Sequence, residues 1–132
     1  MGMPICPTQG IAFAFPDVCN TPNPSGPVPI PYPNIAQLAD ATGVADDLLL
    51  GPAGLKAVLQ DSEIATSSGN EAGSIGGVSS GVTKGKCTVT AGSATVLYGG
   101  KGVARFGDPT MQNSGNAVGQ LLGTFPTVLV GG

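Results

Sequence analysis

The chain contains no histidine and no tryptophan. Without an imidazole there is no Ser-His-Asp triad, no Cys-His pair, no His-Glu-x-x-His zinc site and no side chain that ordinarily shuttles protons near neutral pH. Charge is scarce as well: five Lys or Arg and eight Asp or Glu amount to 10% of 132 residues, for a formal charge of −3. It divides unevenly, with Lys56 and six carboxylates in residues 1–66, and Lys84, Lys86, Lys101 and Arg105 against Glu71 and Asp108 in residues 67–132. Neither half is the basic stripe that a phosphate backbone demands, and two Tyr and four Phe make no stacking platform, so nucleic acid is not an expected partner. The longest aliphatic runs, Leu48 to Leu50 and Val128 to Val130, fall far short of the roughly 20 apolar residues that cross a bilayer. Met1-Gly2-Met3-Pro4 places no basic stretch ahead of an apolar one. No Sec signal is expected, and the chain is expected to remain at first in the cytoplasm.

What is abundant is glycine and proline, 22 and 12 residues, together about a quarter of the chain. Both are poor in helix interiors, so long helices are excluded. Disorder is not implied, because 41% apolar residues and a mean hydropathy of +0.25 oppose its signature. The length fits one domain over residues 1–132, with no room for an effector extension. Cys6, Cys19 and Cys87 are an odd number without Cys-x-x-Cys spacing. In a reducing compartment they read as small buried apolar side chains, although spacing alone leaves open a Cys6–Cys19 disulfide or a shared metal.

Along the chain, Gly10-Ile11-Ala12-Phe13-Ala14-Phe15 alternates, which predicts a strand that buries Ile11, Phe13 and Phe15. Residues 21–33 carry prolines at 22, 24, 27, 29, 31 and 33. They read as extended, polyproline-like coil, either a flexible linker or a rigid strap. Val28, Ile30 and Tyr32 alternate with the prolines and favour the strap. Asn34 is an N-cap candidate for a short helix carrying Ile35, Leu38 and Ala39 and ending near Gly43. Leu48 to Leu50 and Leu55 to Leu59 flank Gly51-Pro52-Ala53-Gly54 as a hairpin, with a helix over 53–60 as the alternative. The Gly/Ser-rich stretch 69–92 resembles a linker taken alone, but leads into Lys86 to Thr90, then Ala94 to Tyr98, Gly99-Gly100 and Lys101 to Phe106, read as a strand and a hairpin, and Thr124 to Val130 supplies a last strand. The expectation is a small, mainly β domain of short hairpins with a Pro-rich extended strap and one or two short helical turns.

Candidate chemistry is thin. Asp46-Asp47, Asp61 with Glu63, and Asp17 are the carboxylate groupings, and they read as solvated or turn-capping residues rather than an acid/base pair held across a cleft. Gly81-Val82-Thr83-Lys84-Gly85-Lys86 is followed by Cys87 where a phosphate loop would place Ser or Thr. An enzyme is not expected, and a binding or structural role is.

Two stretches resemble a known family. One is Phe15-Pro16-Asp17-Val18-Cys19-Asn20-Thr21-Pro22 with Gly26-Pro27-Val28-Pro29-Ile30-Pro31-Tyr32-Pro33-Asn34; the other runs from Ser67-Ser68-Gly69-Asn70-Glu71-Ala72-Gly73 to Val103-Ala104-Arg105-Phe106-Gly107-Asp108, with Asn113 and Gly115-Asn116 after it. The pattern resembles the PAAR-like spike-tip proteins of type VI secretion and related contractile injection machines. The resemblance implies a conical, non-enzymatic domain that caps and sharpens the trimeric valine-glycine repeat (VgrG) spike for membrane puncture. It further implies one tip per trimer, transient contact with the target membrane, export by the machine itself, and attachment of a separate effector or adaptor as a further role. Asp17, Cys19, Pro29, Pro31, Tyr32, Pro33, Asn34, Glu71, Arg105, Phe106, Gly107 and Asp108 are its structural motif residues. Family members commonly hold zinc through histidines around the Ala-Arg-x-Gly-Asp element, where this chain has Phe106 and Met111-Gln112. No metal or other cofactor is therefore expected, with Cys6, Cys19 and Cys87 as the weak candidates. If zinc is absent, Phe106 is expected to fill apolar space at the apex and Arg105 or Asp108 to bond to nearby backbone. The alternative to a spike tip is a cytoplasmic cysteine-based metal- or redox-responsive module.

Overall fold

A computed structural model describes residues 3–131. Its strands are β1 (Met3–Ile5), β2 (Ile11–Thr21), β3 (Val28–Gln37), β4 (Ala45–Leu50), β5 (Leu55–Ala57), β6 (Glu63–Ile64), β7 (Gly76–Gly77), β8 (Cys87–Val89), β9 (Leu97–Tyr98), β10 (Lys101–Gly102), β11 (Pro109–Gln112), β12 (Ala117–Leu121) and β13 (Phe125–Val130). All pairings between them are antiparallel. The main sheet runs β3-β2-β12-β11-β8-β6, with β7 also on β2, and three two-stranded sheets are β1-β13, β4-β5 and β9-β10.

Two hairpins follow from turn chemistry. Leu50 pairs with Leu55 across Gly51-Pro52-Ala53-Gly54, closed by Gly54 N–H to the Gly51 carbonyl at 3.1 Å. Tyr98 pairs with Lys101 across Gly99-Gly100, whose φ values of 60° and 85° suit the two-residue turn of a right-twisted hairpin. The strand expected from Ala94 begins only at Leu97, because Ser93 Oγ accepts the N–H groups of Thr95 and Val96 at 3.2 and 3.0 Å in a competing local turn.

The second half of the proline segment is a strand rather than coil: β3 pairs with β2 from Val28 opposite Thr21 to Gln37 opposite Ile11, while Pro22, Pro24 and Pro27 lie in the connection between the two strands. Hydrogen-bonding direction alternates along a strand. Ile35 exchanges backbone bonds with Ser68, on the side away from β2, at 2.7 and 2.8 Å. Pro29, Pro31 and Pro33 share its parity, so their donorless nitrogens face the outer edge and the ladder to β2 loses nothing. The helix expected from Asn34 is instead a single 3-10 turn, Leu38–Asp40, after β3 ends at Gln37. Asn34 is held inside the strand by buried side-chain bonds and caps nothing.

The face assignment of β2 is reversed from that expected. Ala12 and Ala14 are buried, whereas Phe13 is half-buried and Phe15 is 57% exposed. Ala12 lies opposite Ala36, and Ala14 opposite both Asn34 and Gly119, so the inner face is lined with small groups close to a polar interior. A register irregularity between Ala14 and Asp17, at the cis Phe15–Pro16 peptide, changes the parity of the strand. Ala12 and Ala14 point inward before it, and Asp17 and Cys19 after it.

Two apolar clusters form the core. Cys6, Leu38, Val58, Ile64, Cys87, Val89 and Leu121 belong to the one behind the main sheet. Ile5, Leu50, Leu59, Val103 and Val130 belong to the one enclosed by the small sheets.

Candidate functional site

Beyond the apolar clusters the interior is polar. Asp17, Asn34, Ser67, Asn70, Thr110, Gln112 and Asn113 are all buried, and among the described residues no buried side-chain nitrogen or oxygen lacks a partner. The bonds form two connected groups.

The first is a one-way relay. Thr110 Oγ1 donates to Gln112 Oε1 at 2.8 Å, Gln112 Nε2 to Asn34 Oδ1 at 2.8 Å, Asn34 Nδ2 to Ser67 Oγ at 2.8 Å, and Ser67 Oγ to the Gly85 carbonyl at 2.6 Å. Gln112 Nε2 also reaches the carbonyls of Asn34 and Ala12 at 3.0 and 3.3 Å. Each group donates onward, an arrangement in which neighbouring bonds polarise one another.

The second is centred on Asp17, which is fully buried and not the solvated or turn-capping residue expected from sequence. Asn70 Nδ2 donates to Oδ2 at 2.6 Å, Asn113 Nδ2 to Oδ1 at 3.2 Å, and Asn116 Nδ2 also to Oδ1. The Cys19 thiol donates to Oδ1 at 3.6 Å. The amide oxygens point the other way. Asn70 Oδ1 accepts from Lys84 N–H at 3.2 Å, Asn113 Oδ1 from Gly85 N–H at 2.8 Å, and Asn116 Oδ1 from the N–H groups of Ser79 and Ser80 at 2.7 and 3.2 Å. Backbone donors thus fix the orientation of all three amides, leaving their NH₂ groups aimed at the carboxylate.

The remaining motif residues are scattered. Arg105 and Asp108 pair through Nη2 to Oδ1 at 3.2 Å, and Asp108 Oδ2 also accepts from Arg105 Nε at 3.2 Å and its N–H at 2.8 Å. They close a turn whose tip is Phe106-Gly107. Phe106 is 37% exposed and fills no buried space, because the turn carries it outward beside Pro4, to whose carbonyl its N–H donates at 2.8 Å. Tyr32 Oη shares a hydrogen bond with Thr21 Oγ1 at 2.7 Å. Glu71 is exposed, and backbone N–H groups, its own and that of Gly69, hold its carboxyl below the usual range. Asn70, Asn113 and Asn116 are in the motif stretches, but nothing in the sequence distinguishes an amide that serves a buried carboxylate from one on the surface.

Cys6 and Cys87 sit in the same apolar cluster and Cys19 in the polar one, all free and buried. Burial pushes the thiols of Cys6 and Cys87 up to about 12; burial and then the Asp17 charge push Cys19 up to about 11. Protonated, enclosed thiols are poor nucleophiles. A thiol-specific disulfide reagent at pH 8 is expected to label none of the three in the native protein within minutes and all three in denaturant. A fast-reacting native thiol would contradict this account.

The outer face of the main sheet carries exposed apolar side chains, among them Phe15, Met111 and Val118. Ladder pairing sets Ile35, Phe13, Gln120 and Pro109 in one row and Val118, Met111, Thr88 and Glu63 in the next. Phe15 and the 66% exposed Val118 line, with Phe13, Gly119 and Gln120, a groove of about 330 Å³. Charge enters these rows only at their far edge, with Glu63.

The model of the Toxin PAAR-like domain family matches residues 10–119, a span that contains the Asp17 cluster, the Pro-rich strand and the Arg105–Asp108 turn. The chain belongs to this family. It is a PAAR-like protein of the type VI secretion class, from a family of structural spike-tip domains. No curated protein and no solved structure matches it significantly. This PAAR-like domain is about half strand with almost no helix, as its composition implied.

Proposed function

We propose that this PAAR-like protein caps and sharpens the trimeric VgrG spike as a non-enzymatic tip, one copy per trimer, with the outer face of the main sheet seated on the blunt end of the spike. The observation that carries the reading is the reversed β2 face. Two phenylalanines that a free-standing domain would bury are turned outward, Phe13 partly and Phe15 largely exposed, beside Val118 in one groove, in a chain whose family is associated with VgrG spikes. An exposed, nearly uncharged face of this kind suits an apolar partner surface. The interior suits the same role: a tip must keep its shape under load, and two cross-linked polar clusters hold segments far apart in sequence. The monomer is expected to lie on the threefold axis, where a single copy fits.

Co-purification with a trimeric VgrG-type spike protein is expected to give one chain per trimer. Covering Phe15 and Val118 is worth about 1.5–3 kcal/mol each, so the double variant Phe15→Ser/Val118→Asp is expected to bind at least about 100-fold more weakly with an unchanged melting temperature. A stable free homotrimer of the chain, or undiminished binding by the double variant, would sink the proposal.

A further inference from the structure

The family resemblance implies a zinc ion near the apex, and the donor chemistry of this chain does not fit one. Zinc is held by thiolate sulfur, imidazole nitrogen or carboxylate oxygen, usually four together. Among the described residues no three Cys, Asp or Glu side chains converge on a point that could hold a metal. Of the positions in question, Phe106 is turned outward, Met111 lies on the outer face of the sheet, and Gln112 is saturated within the Thr110–Ser67 relay. The Asp17 cluster combines a carboxylate, a thiol and three amides, yet its amides present N–H groups to the centre, and N–H groups repel a cation. Turning any of them would set its oxygen against the carboxylate and its NH₂ against the backbone N–H groups of Lys84, Gly85 or Ser79.

We infer that the Asp17 cluster is a metal-free keystone, with the carboxylate of the chain itself at its centre and amide donors as its shell, doing the cross-linking that zinc does in histidine-bearing relatives. It is a metal site with its polarity inverted. The anion is covalently part of β2, and its donors come from the segment after β6 through Asn70 and from the β11–β12 connection through Asn113 and Asn116. The outward oxygens of the same amides gather the β7–β8 connection through Ser79, Ser80, Lys84 and Gly85. Asp17 thereby joins residues 53, 96 and 99 positions away in sequence. Hydrogen bonds to an ionised acceptor are the stronger class, and several converging on one carboxylate offset its desolvation. The inference does not depend on what the tip caps.

The test uses the full chain purified without chelator. Metal content is expected to be substoichiometric, and the melting temperature unchanged by a chelator or by added zinc. Asp17→Asn keeps the shape but turns an NH₂ toward NH₂ groups, and is expected to lower the melting temperature by about 10 °C. Cys19→Ala removes the one thiol in the cluster and is expected to shift it by less than about 5 °C, since a thiol is a weak donor. Should Asp17→Asn not fold, Asn116→Ala at the half-exposed margin is expected to show a loss of about 5 °C with metal still absent. Stoichiometric zinc that a chelator removes with a falling melting temperature overturns the inference. So does an Asp17→Asn or Asn116→Ala variant as stable as the parent.

Discussion

A single methyl group added at Gly76 is expected to destabilise the protein by about 3–5 kcal/mol, combining backbone strain with overpacking. The residue has φ of +115°, a region that side chains rarely tolerate, and a Cβ there would stand 2.5 Å from the Gly81 carbonyl oxygen, 2.6 Å from its carbon and 2.9 Å from the Val82 nitrogen. All three are backbone atoms, so no side-chain rotation relieves the clash. The turn from Gly76 to Gly81 has to move, and with it Ser79 and Ser80, whose N–H groups orient Asn116 toward Asp17. Gly81→Ala is the control: φ is +74°, but a Cβ meets nothing within 4 Å, so the cost is expected to be about 1 kcal/mol. Urea denaturation of Gly76→Ala and Gly81→Ala measures both, and equal losses would refute the packing account.

Gln112→Leu is expected to cost about 3 kcal/mol, although leucine fills nearly the same space. The substitution removes the group that accepts from Thr110 and donates to Asn34, and strands a buried hydroxyl and a buried amide oxygen together. Thr110→Val, which deletes only the first donor of the relay, is expected to cost about 1 kcal/mol. Equal losses for the two variants in thermal or urea melts would refute the account that the groups stranded by removing Gln112, and not the first donor alone, set the cost.

How much of this was legible in the sequence depended on whether the controlling physics is local. The hairpins at Gly51-Pro52-Ala53-Gly54 and Gly99-Gly100 were legible because a tight turn is specified by its own residues. The alternation of Ile11 to Phe15 gave a strand, but a period of two carries no sign. Hydrophobicity put the phenylalanines inside, whereas the small inner face beside Asn34 and Gly119 takes the alanines. That choice misleads where the outer face is reserved for a partner. A proline lacks a donor and so predicts coil, yet the spacing of Pro29, Pro31 and Pro33 at every second residue is what lets β3 keep its ladder. The motif singles out Asp17, but nothing local in the sequence reveals that it is buried. Its partners Asn70, Asn113 and Asn116 come from elements that only the folded topology brings together, and an amide in sequence does not announce what it faces.

The edge formed by Pro29, Pro31 and Pro33 bears on how copies of the chain meet one another. An open sheet edge is ordinarily a template on which a second molecule can add a strand and begin a fibre. Here every alternate nitrogen along that edge is capped by its own ring, Ser68 occupies the position beside Ile35, and Thr42 pairs with Glu63 at the opposite margin of the main sheet. The prolines thus act as insulation. They allow a small, weakly charged, apolar-faced protein to accumulate without its largest sheet recruiting its neighbours.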